Sequence, residues 1–230
     1  MPAIRLITLD LDDTLWPCDV TIAAAEKAHF SWIEAHAPRL AVDYDQAALR
    51  EHRIATRKQR TDIAHDLTAL RLASLRELLG RYGYPEGFAD QASKDFLEHR
   101  NRVYPFPEVS PVLRGLSAVY HLISVTNGNA DVESTGLRGH FHHNFRAEDV
   151  GAAKPDPALF EAALAVSGVS AREAVHLGDD PELDVEAARR FGMRALWINR
   201  FNRAWPEHLE PPEAEFDNLA DFQTWLEQTT

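Results

Sequence analysis

The sequence predicts an α/β protein with a doubly wound parallel-sheet core interrupted by an inserted all-helical domain, and three observations carry that prediction. Four short apolar runs, at residues 4–9, 122–125, 174–177 and 195–198, each end in a polar turn, as parallel strands buried on both faces do. Helix signals alternate with the last three runs, the order expected of βα units. Between the first and second runs, residues 17–105 show helical periodicity and no strand pattern, far beyond the length of an ordinary connection. The expected boundaries are residues 1–16 with 106–230 for the core and 17–105 for the helical insert.

Within the core, Ser110 with Pro111, and Asp156 with Pro157, read as N-caps followed by a proline at the first helical position. Leu159, Phe160, Ala163 and Leu164 give the second of these helices its apolar face. Ser170 and Glu173 have capping-box spacing, and Gly192 is placed to end a helix that begins near Asp184. In the insert, Ile22, Ala25, His29 and Ile33 mark one amphipathic helix, and Leu67, Leu70, Leu75, Leu78 and Tyr82 mark another. Further helices are expected near residues 46–60 and 88–103.

Composition narrows the function. Of 230 residues, 45% are hydrophobic and 26% charged, the balance of an ordinary folded protein. A net charge of -12 disfavours nucleic acid and anionic membranes as partners, since both need clustered Lys and Arg. It leaves open a small phosphorylated metabolite, which needs only a local positive field. The single cysteine, Cys18, excludes an internal disulfide framework or a thiolate zinc cluster. The lone cysteine suits a reducing cytoplasm, the N-terminus lacks the pattern of a signal peptide, and no run is long and apolar enough for a bilayer, so a cytoplasmic location is expected; the expectation for assembly is a monomer or homodimer.

Chemistry concentrates where the apolar runs end. Asp10-Leu11-Asp12-Asp13-Thr14-Leu15 follows the first run, and ligands of open parallel sheets bind beyond the carboxyl ends of strands. An i, i+2 pair in extended chain points both side chains the same way, so Asp10 and Asp12 can face one cleft. A calcium loop is ruled out by Leu15 and Thr21, which stand where such a loop needs its glycine and its bidentate glutamate. At the second run, Thr126-Asn127-Gly128-Asn129 can cradle an anion with hydroxyl, amide and backbone N–H groups. Lys154 precedes the Asp156 helix start. Gly178-Asp179-Asp180-Pro181-Glu182-Leu183-Asp184 is a second acidic turn after a strand, and two of these suggest a cation held by oxygen.

Together these clusters resemble the haloacid dehalogenase superfamily of phosphatases, whose motifs appear in order as Asp10, Asp12 and Thr14, then Thr126, then Lys154, then Asp179 with Asp184. The resemblance implies a Rossmann-like core with a helical cap. It also implies Mg2+ as cofactor, bound by Asp10, the Asp12 main-chain carbonyl and Asp179. Asp10 is then the nucleophile that forms a phosphoaspartate and Asp12 the general acid and base. Thr126 and the Asn127 N–H hold phosphate, and Lys154 neutralises it. Asp184 orients Lys154 or a metal-bound water; Asp180 is the alternative metal-side partner. Haloalkanoate dehalogenation and a non-catalytic binding module are the rival readings. Asp12 speaks against the first, because dehalogenases resemble this pattern with that acid missing.

Beyond the core motifs, the stretch His65-Asp66-Leu67-Thr68 with Arg71, together with residues 125–130 and 176–180, is similar to the bacterial branch acting on flavin mononucleotide and a phosphorylated riboflavin precursor. That makes His65 and Arg71 candidate substrate contacts, with Trp16, Trp32 and Asp66 beside them, although Asp66 reads more readily as a helix cap. Arg53, Arg57, Lys58 and Arg60 read as a solvated helix face. His140, His142 and His143 fall in a stretch read as a loop anchored by Phe141 and Phe145, and no zinc site is expected there.

Overall fold

The structure is a computed structural model that describes residues 3–229. Its sheet has six strands, β1 (Leu6–Leu9), β2 (His121–Thr126), β3 (His143–Arg146), β4 (Ala174–Gly178), β5 (Arg194–Ile198) and β6 (Glu215–Phe216). They lie in the order β3-β2-β1-β4-β5-β6, and every pairing is parallel. This is the doubly wound arrangement, with β1 in the centre between β2 and β4, where the winding direction reverses and a crevice opens at the strands' carboxyl ends.

Contacts divide the chain into two compact units. One comprises the residues up to Pro17, Tyr104–Gly128 and those from Val132 onward; the other is Cys18–Val103 with Asn129–Asp131. The second unit holds α1 (Cys18–His36), α2 (Pro38–Asp43), α3 (Gln46–Gln59), α4 (Leu67–Arg81) and α5 (Gly87–Arg100). Its core is built by Ile33, Leu40, Leu75, Leu78, Leu79 and Ala92. On α1 the buried positions are Thr21, Ala25, His29 and Ile33, so Thr21 takes the place expected for Ile22. Asp66 caps α4 by accepting from the Ala69 N–H at 2.7 Å.

The sheet-bearing unit adds α6 (Val109–Ser117), α7 (Ala147–Val150), α8 (Ala158–Ser167), α9 (Ala187–Arg190) and α10 (Leu219–Thr229). Leu6, Ile123, Val125, Phe160, Val185 and Trp197 belong to one buried cluster, consistent with strands covered on both faces. The Ser170–Glu173 capping box is present, and Gly192 takes the left-handed conformation (φ +89°) that closes the turn after α9.

Three expectations need correction. Residues 143–146 form the edge strand β3, not a loop; His-Asn-Phe-Arg carries no apolar run because an edge strand is only half covered. α6 begins at Val109, so Ser110 and Pro111 lie in its first turn, and the Ser110 hydroxyl meets His140 Nε2 at 3.1 Å instead of capping. α8 begins one residue late, at Ala158, whose N–H is taken by Asp156 at 3.0 Å.

Candidate active site

The site grows from the ends of β1, β2 and β4. The Asp10 N–H donates to Leu177 O at 3.0 Å, which ties the first residue after β1 to β4. The chain then turns sharply. Asp13 has φ +58°, a left-handed position that Asp tolerates better than most residues, and Leu15 N–H returns to Leu11 O at 2.8 Å. Arg200 donates from Nε to Thr14 O at 3.0 Å and holds the same loop from the end of β5. Inside the loop, the buried Trp16 indole N–H donates to Asp12 Oδ1 at 2.8 Å, so the Asp12 carboxyl is aimed by its own neighbour.

Thr126 closes β2, and its Oγ1 accepts from Gly128 N–H at 3.0 Å, shaping the turn. The Asn127 carboxamide clamps the main chain of Lys154 on both sides, accepting its N–H at 2.7 Å and donating to its carbonyl at 2.9 Å. Lys154 is buried, and its Nζ donates to Asp10 Oδ1 at 2.7 Å, Asp184 Oδ1 at 2.5 Å and Val125 O at 3.0 Å. Asp184 Oδ2 accepts from Asp180 N–H at 3.0 Å, and His176 Nε2 lies 3.2 Å from Asp184 Oδ1, its Nδ1 2.9 Å from Thr8 Oγ1. Gly178 makes room for all of this: a Cβ there would sit 2.3 Å from Asp184 Cγ.

Oxygen atoms of Asp10, Asp179 and Asp184 converge within 4.8 Å of one another. Among the described residues this is the one such gathering of three candidate ligands, and the histidines around β3 form none. Burial pushes the Asp10 carboxyl well above the usual range; Lys154 opposes the rise, while Asp184 and Asp179 add to it. Burial and the Asp184 charge push Asp179 up to about 7, although Arg203 opposes them. Asp184 goes the other way: burial would raise it, but Lys154 and His176 outweigh burial and hold it below the usual carboxylate range. Burial works against the Lys154 ammonium, but Asp10 and Asp184 outweigh it and raise its pKa. Crowded, incompletely neutralised carboxylates with oxygen donors alone fit a hard divalent cation such as Mg2+.

The structure thus gathers Asp10, Asp12, Thr126, Asn127, Lys154 and Asp179 around one cavity of about 190 Å³. Asp180 lines the same cavity, with its Oδ1 accepting from the N–H groups of Glu182 and Leu183 at 2.9 Å each. His65 and Arg71 lie in the helical unit. There Arg71 is buried, donates to both Glu26 oxygens at 2.6 and 3.3 Å, and stacks on Phe96. It lines a cavity of about 210 Å³ together with Glu26, Arg53, Leu70, Phe96 and Asn129, and His65 is off that wall. Trp16 is spent on Asp12, and Trp32 packs edge-on to Phe88 in the helical core.

Sequence reading missed the side-chain role of Asn127, the buried His176 and the Glu26–Arg53–Arg71 cluster. His176 left one signal, a polar residue inside an apolar strand run. Arg53 is no solvated surface group, since it donates to Glu26 at 2.7 Å; Arg60 does keep to the surface, paired with Asp62.

Residues 4–192 match a family model described as hydrolase, haloacid dehalogenase-like hydrolase. The chain belongs to that family. Among curated proteins, it is 30% identical over 97% of its length to 5-amino-6-(5-phospho-D-ribitylamino)uracil phosphatase YigB of Escherichia coli, covering 96% of that protein. It is 36% identical to a phosphoserine phosphatase of Thermus thermophilus over 62% of this chain and 57% of the other. A crystal structure of a 2-haloacid dehalogenase from Pseudomonas syringae pv. Tomato DC3000 is similar at 39% identity, with a TM-score of 0.91 over 99% of this chain and 100% of that one.

Proposed function

We propose that this hydrolase is a Mg2+-dependent phosphatase that cleaves small phosphorylated metabolites through a phosphoaspartate on Asp10. The observation that carries the reading is the pairing of a buried nucleophile, held by Lys154 Nζ at 2.7 Å, with a second carboxyl two residues on, held by the Trp16 indole at 2.8 Å. An alkoxide leaving group needs a proton from such an acid, and a halide does not.

Asp10 attacks phosphorus, the bond from phosphorus to the leaving oxygen breaks, and Asp12 gives that oxygen its proton. Asp12 then takes a proton from water, whose oxygen attacks phosphorus and releases Asp10 with inorganic phosphate. Thr126 Oγ1 and the Asn127 main-chain N–H hold phosphate oxygens, and Lys154 spreads positive charge over nucleophile and phosphoryl group. Asp10 and Asp179, with the Asp12 main-chain carbonyl, are the residues that would hold Mg2+, which supplies the charge neutralisation that lets two anions meet. Both Asp184 oxygens already accept from protein donors, which suits an orienting role.

For the substrate, the relative from Escherichia coli and the cavity of the helical unit point the same way. Ile22, Leu70 and Phe96 offer an apolar wall and Arg53 and Asn129 offer polar groups, the lining suited to a heterocycle carrying carbonyl acceptors. We therefore read flavin mononucleotide and phosphorylated riboflavin precursors as the substrates. A small metabolite fits the net charge of -12 better than nucleic acid or membrane, and no helix of the described residues is long and apolar enough to cross a bilayer. A cytoplasmic monomer or homodimer completes the reading.

The similarity to a 2-haloacid dehalogenase structure supports dehalogenation as the second reading. One experiment decides: release of phosphate from p-nitrophenyl phosphate with and without Mg2+, beside release of chloride from 2-chloropropionate. Metal-dependent phosphate release, with a phosphate adduct on the Asp10 peptide after acid quenching, is expected. Chloride release without phosphate release overturns the phosphatase reading.

A further inference from the structure

The acidic cluster contains a cation outside the catalytic set. Lys154 serves Asp10 and Asp184, while Asp179 is served by Arg203, whose Nη2 donates to Asp179 Oδ2 at 2.6 Å and to the Asp179 main-chain carbonyl at 3.2 Å. The Asp179 carbonyl also accepts from the Trp197 indole at 2.8 Å, so the residue is fixed through its main chain independently of Arg203.

Arg203 is anchored at its backbone and open at its tip. Asn199, buried at the end of β5, accepts the Arg203 N–H at 2.8 Å and donates to its carbonyl at 2.9 Å. The Arg203 side chain is 44% exposed, against 12% for Asp179. A guanidinium so placed can leave the carboxylate for water without disturbing the chain that carries it.

We infer that Arg203 is a stand-in cation: it neutralises Asp179 in the metal-free protein and competes with the divalent metal for that carboxylate, so that it sets the metal affinity of the site. The inference rests on the metal reading given above. Two effects act in the same direction. A positive charge bonded to a metal-binding carboxylate weakens it as a donor and repels the incoming dication. Removing that charge also leaves Asp179 without its ion-pair partner among the three crowded carboxylates of the metal-free state, which raises the free energy of that state. Arg203 is on this account a tuning residue that need not touch substrate.

The test is titration calorimetry of the full chain with Mg2+ alone, comparing wild type with Arg203→Met, which keeps the stem without the charge, and Arg203→Lys, which keeps the charge. Thermal unfolding of each protein with and without Mg2+ accompanies it. We expect the Mg2+ dissociation constant of Arg203→Met to fall by about fivefold, the change a partly exposed ion pair supports. Its metal-free melting temperature should fall while the metal-loaded one stays near wild type, and Arg203→Lys should restore both readings toward wild type. Equal or weaker Mg2+ binding by Arg203→Met overturns the inference and makes Arg203 an orienting or merely structural residue. Equal melting losses with and without metal overturn it as well. Absence of Mg2+ binding by the wild type overturns the metal reading and this inference together.

Discussion

The Nζ of Lys154 lies 2.7 Å from the Oδ1 of Asp10, and the same ammonium reaches Asp184 at 2.5 Å, so one buried cation answers two carboxylates. Taking it away leaves both uncompensated, and breaking a buried pair from one side costs about 3–5 kcal/mol. Lys154→Met should lower unfolding free energy by that order and abolish turnover. The loss should be larger at pH 8 than at pH 5, where protonation relieves the stranded carboxyls. Denaturant melts at the two pH values check it, and a stable, active Lys154→Met variant removes the lysine from the site.

On the proposed mechanism, Asp10→Asn preserves shape and removes the nucleophile. Turnover of any phosphate ester should fall by roughly ten-thousand-fold with the fold intact. Asp12→Asn removes the acid alone, so it should retain phosphorylation by aryl phosphates, whose leaving groups need little protonation, and lose about a hundred-fold or more on alkyl phosphates. Pre-steady-state bursts with both substrate types separate these outcomes, and equal losses on both would count against Asp12 as the acid.

Gly178→Ala places a methyl 2.3 Å from Asp184 Cγ. Asp184 must move, and with it its bonds to Lys154, His176 and the Asp180 N–H. Overpacking of this kind costs about 1–3 kcal/mol. Activity should suffer more than stability, because the carboxylate that moves also positions Lys154. Comparing kcat with the melting temperature shows whether the two losses separate.

His29 and Glu26 make the helical unit acid-sensitive. Burial, reinforced by Arg71, lowers His29 to about 4, so between its unfolded value of 6.5 and 4 the unfolded chain binds the proton that the folded one refuses. Burial pushes Glu26 up, but the Arg71 hydrogen bond and charge outweigh it with help from Arg53, and its folded pKa ends below 4.5. Glu26 stabilises the fold at neutral pH, whereas His29, neutral in both states there, works against it only in acid. The His29 penalty, about 3 kcal/mol, builds as pH falls from 6.5 to 4, and the Glu26 contribution is lost below 4.5. His29→Gln should flatten the decline above pH 4.5 in a series of urea melts.

For the substrate, flavin mononucleotide should be hydrolysed faster than glucose phosphate. Arg53→Ala should reduce that preference by roughly tenfold while sparing p-nitrophenyl phosphate. Arg71→Ala is a poorer probe, since it leaves Glu26 with Arg53 alone and loses the Phe96 stack, and His65→Ala should change the ratio least. Specificity constants for the three substrates check this; a clear win for sugar phosphates leaves the phosphatase reading standing and ends the flavin one.

The Asp10 loop, the Thr126 turn and the Asp179 turn were legible because each follows an apolar run, and in a parallel sheet a strand's end is also the site's position; Lys154, in an irregular stretch before a helix start, was legible only through the family resemblance. The four central strands were legible for the same reason, being buried on both faces. β3 and β6 were not, since a half-covered edge strand has no need of an apolar run. The helix start slipped by two residues at Ser110, whose hydroxyl meets the distant His140, and by one at Asp156, whose carboxylate takes the Ala158 N–H.

The residue pattern carries the kind of chemistry: two carboxyls two residues apart, a hydroxyl and a closing acidic turn, each attached to a strand end by covalent spacing, with a lysine ahead of a helix start. Packing alone fixes which charges answer which. Arg71 sits 45 residues from Glu26, Lys154 sits 144 from Asp10, and Arg203 sits 24 from Asp179. Local pattern constrains groups a few residues apart, whereas an ion pair depends on distances of a few ångströms between segments brought together by packing. Neither the Glu26–Arg71 pair nor the Asp179–Arg203 pair can therefore be read from local spacing.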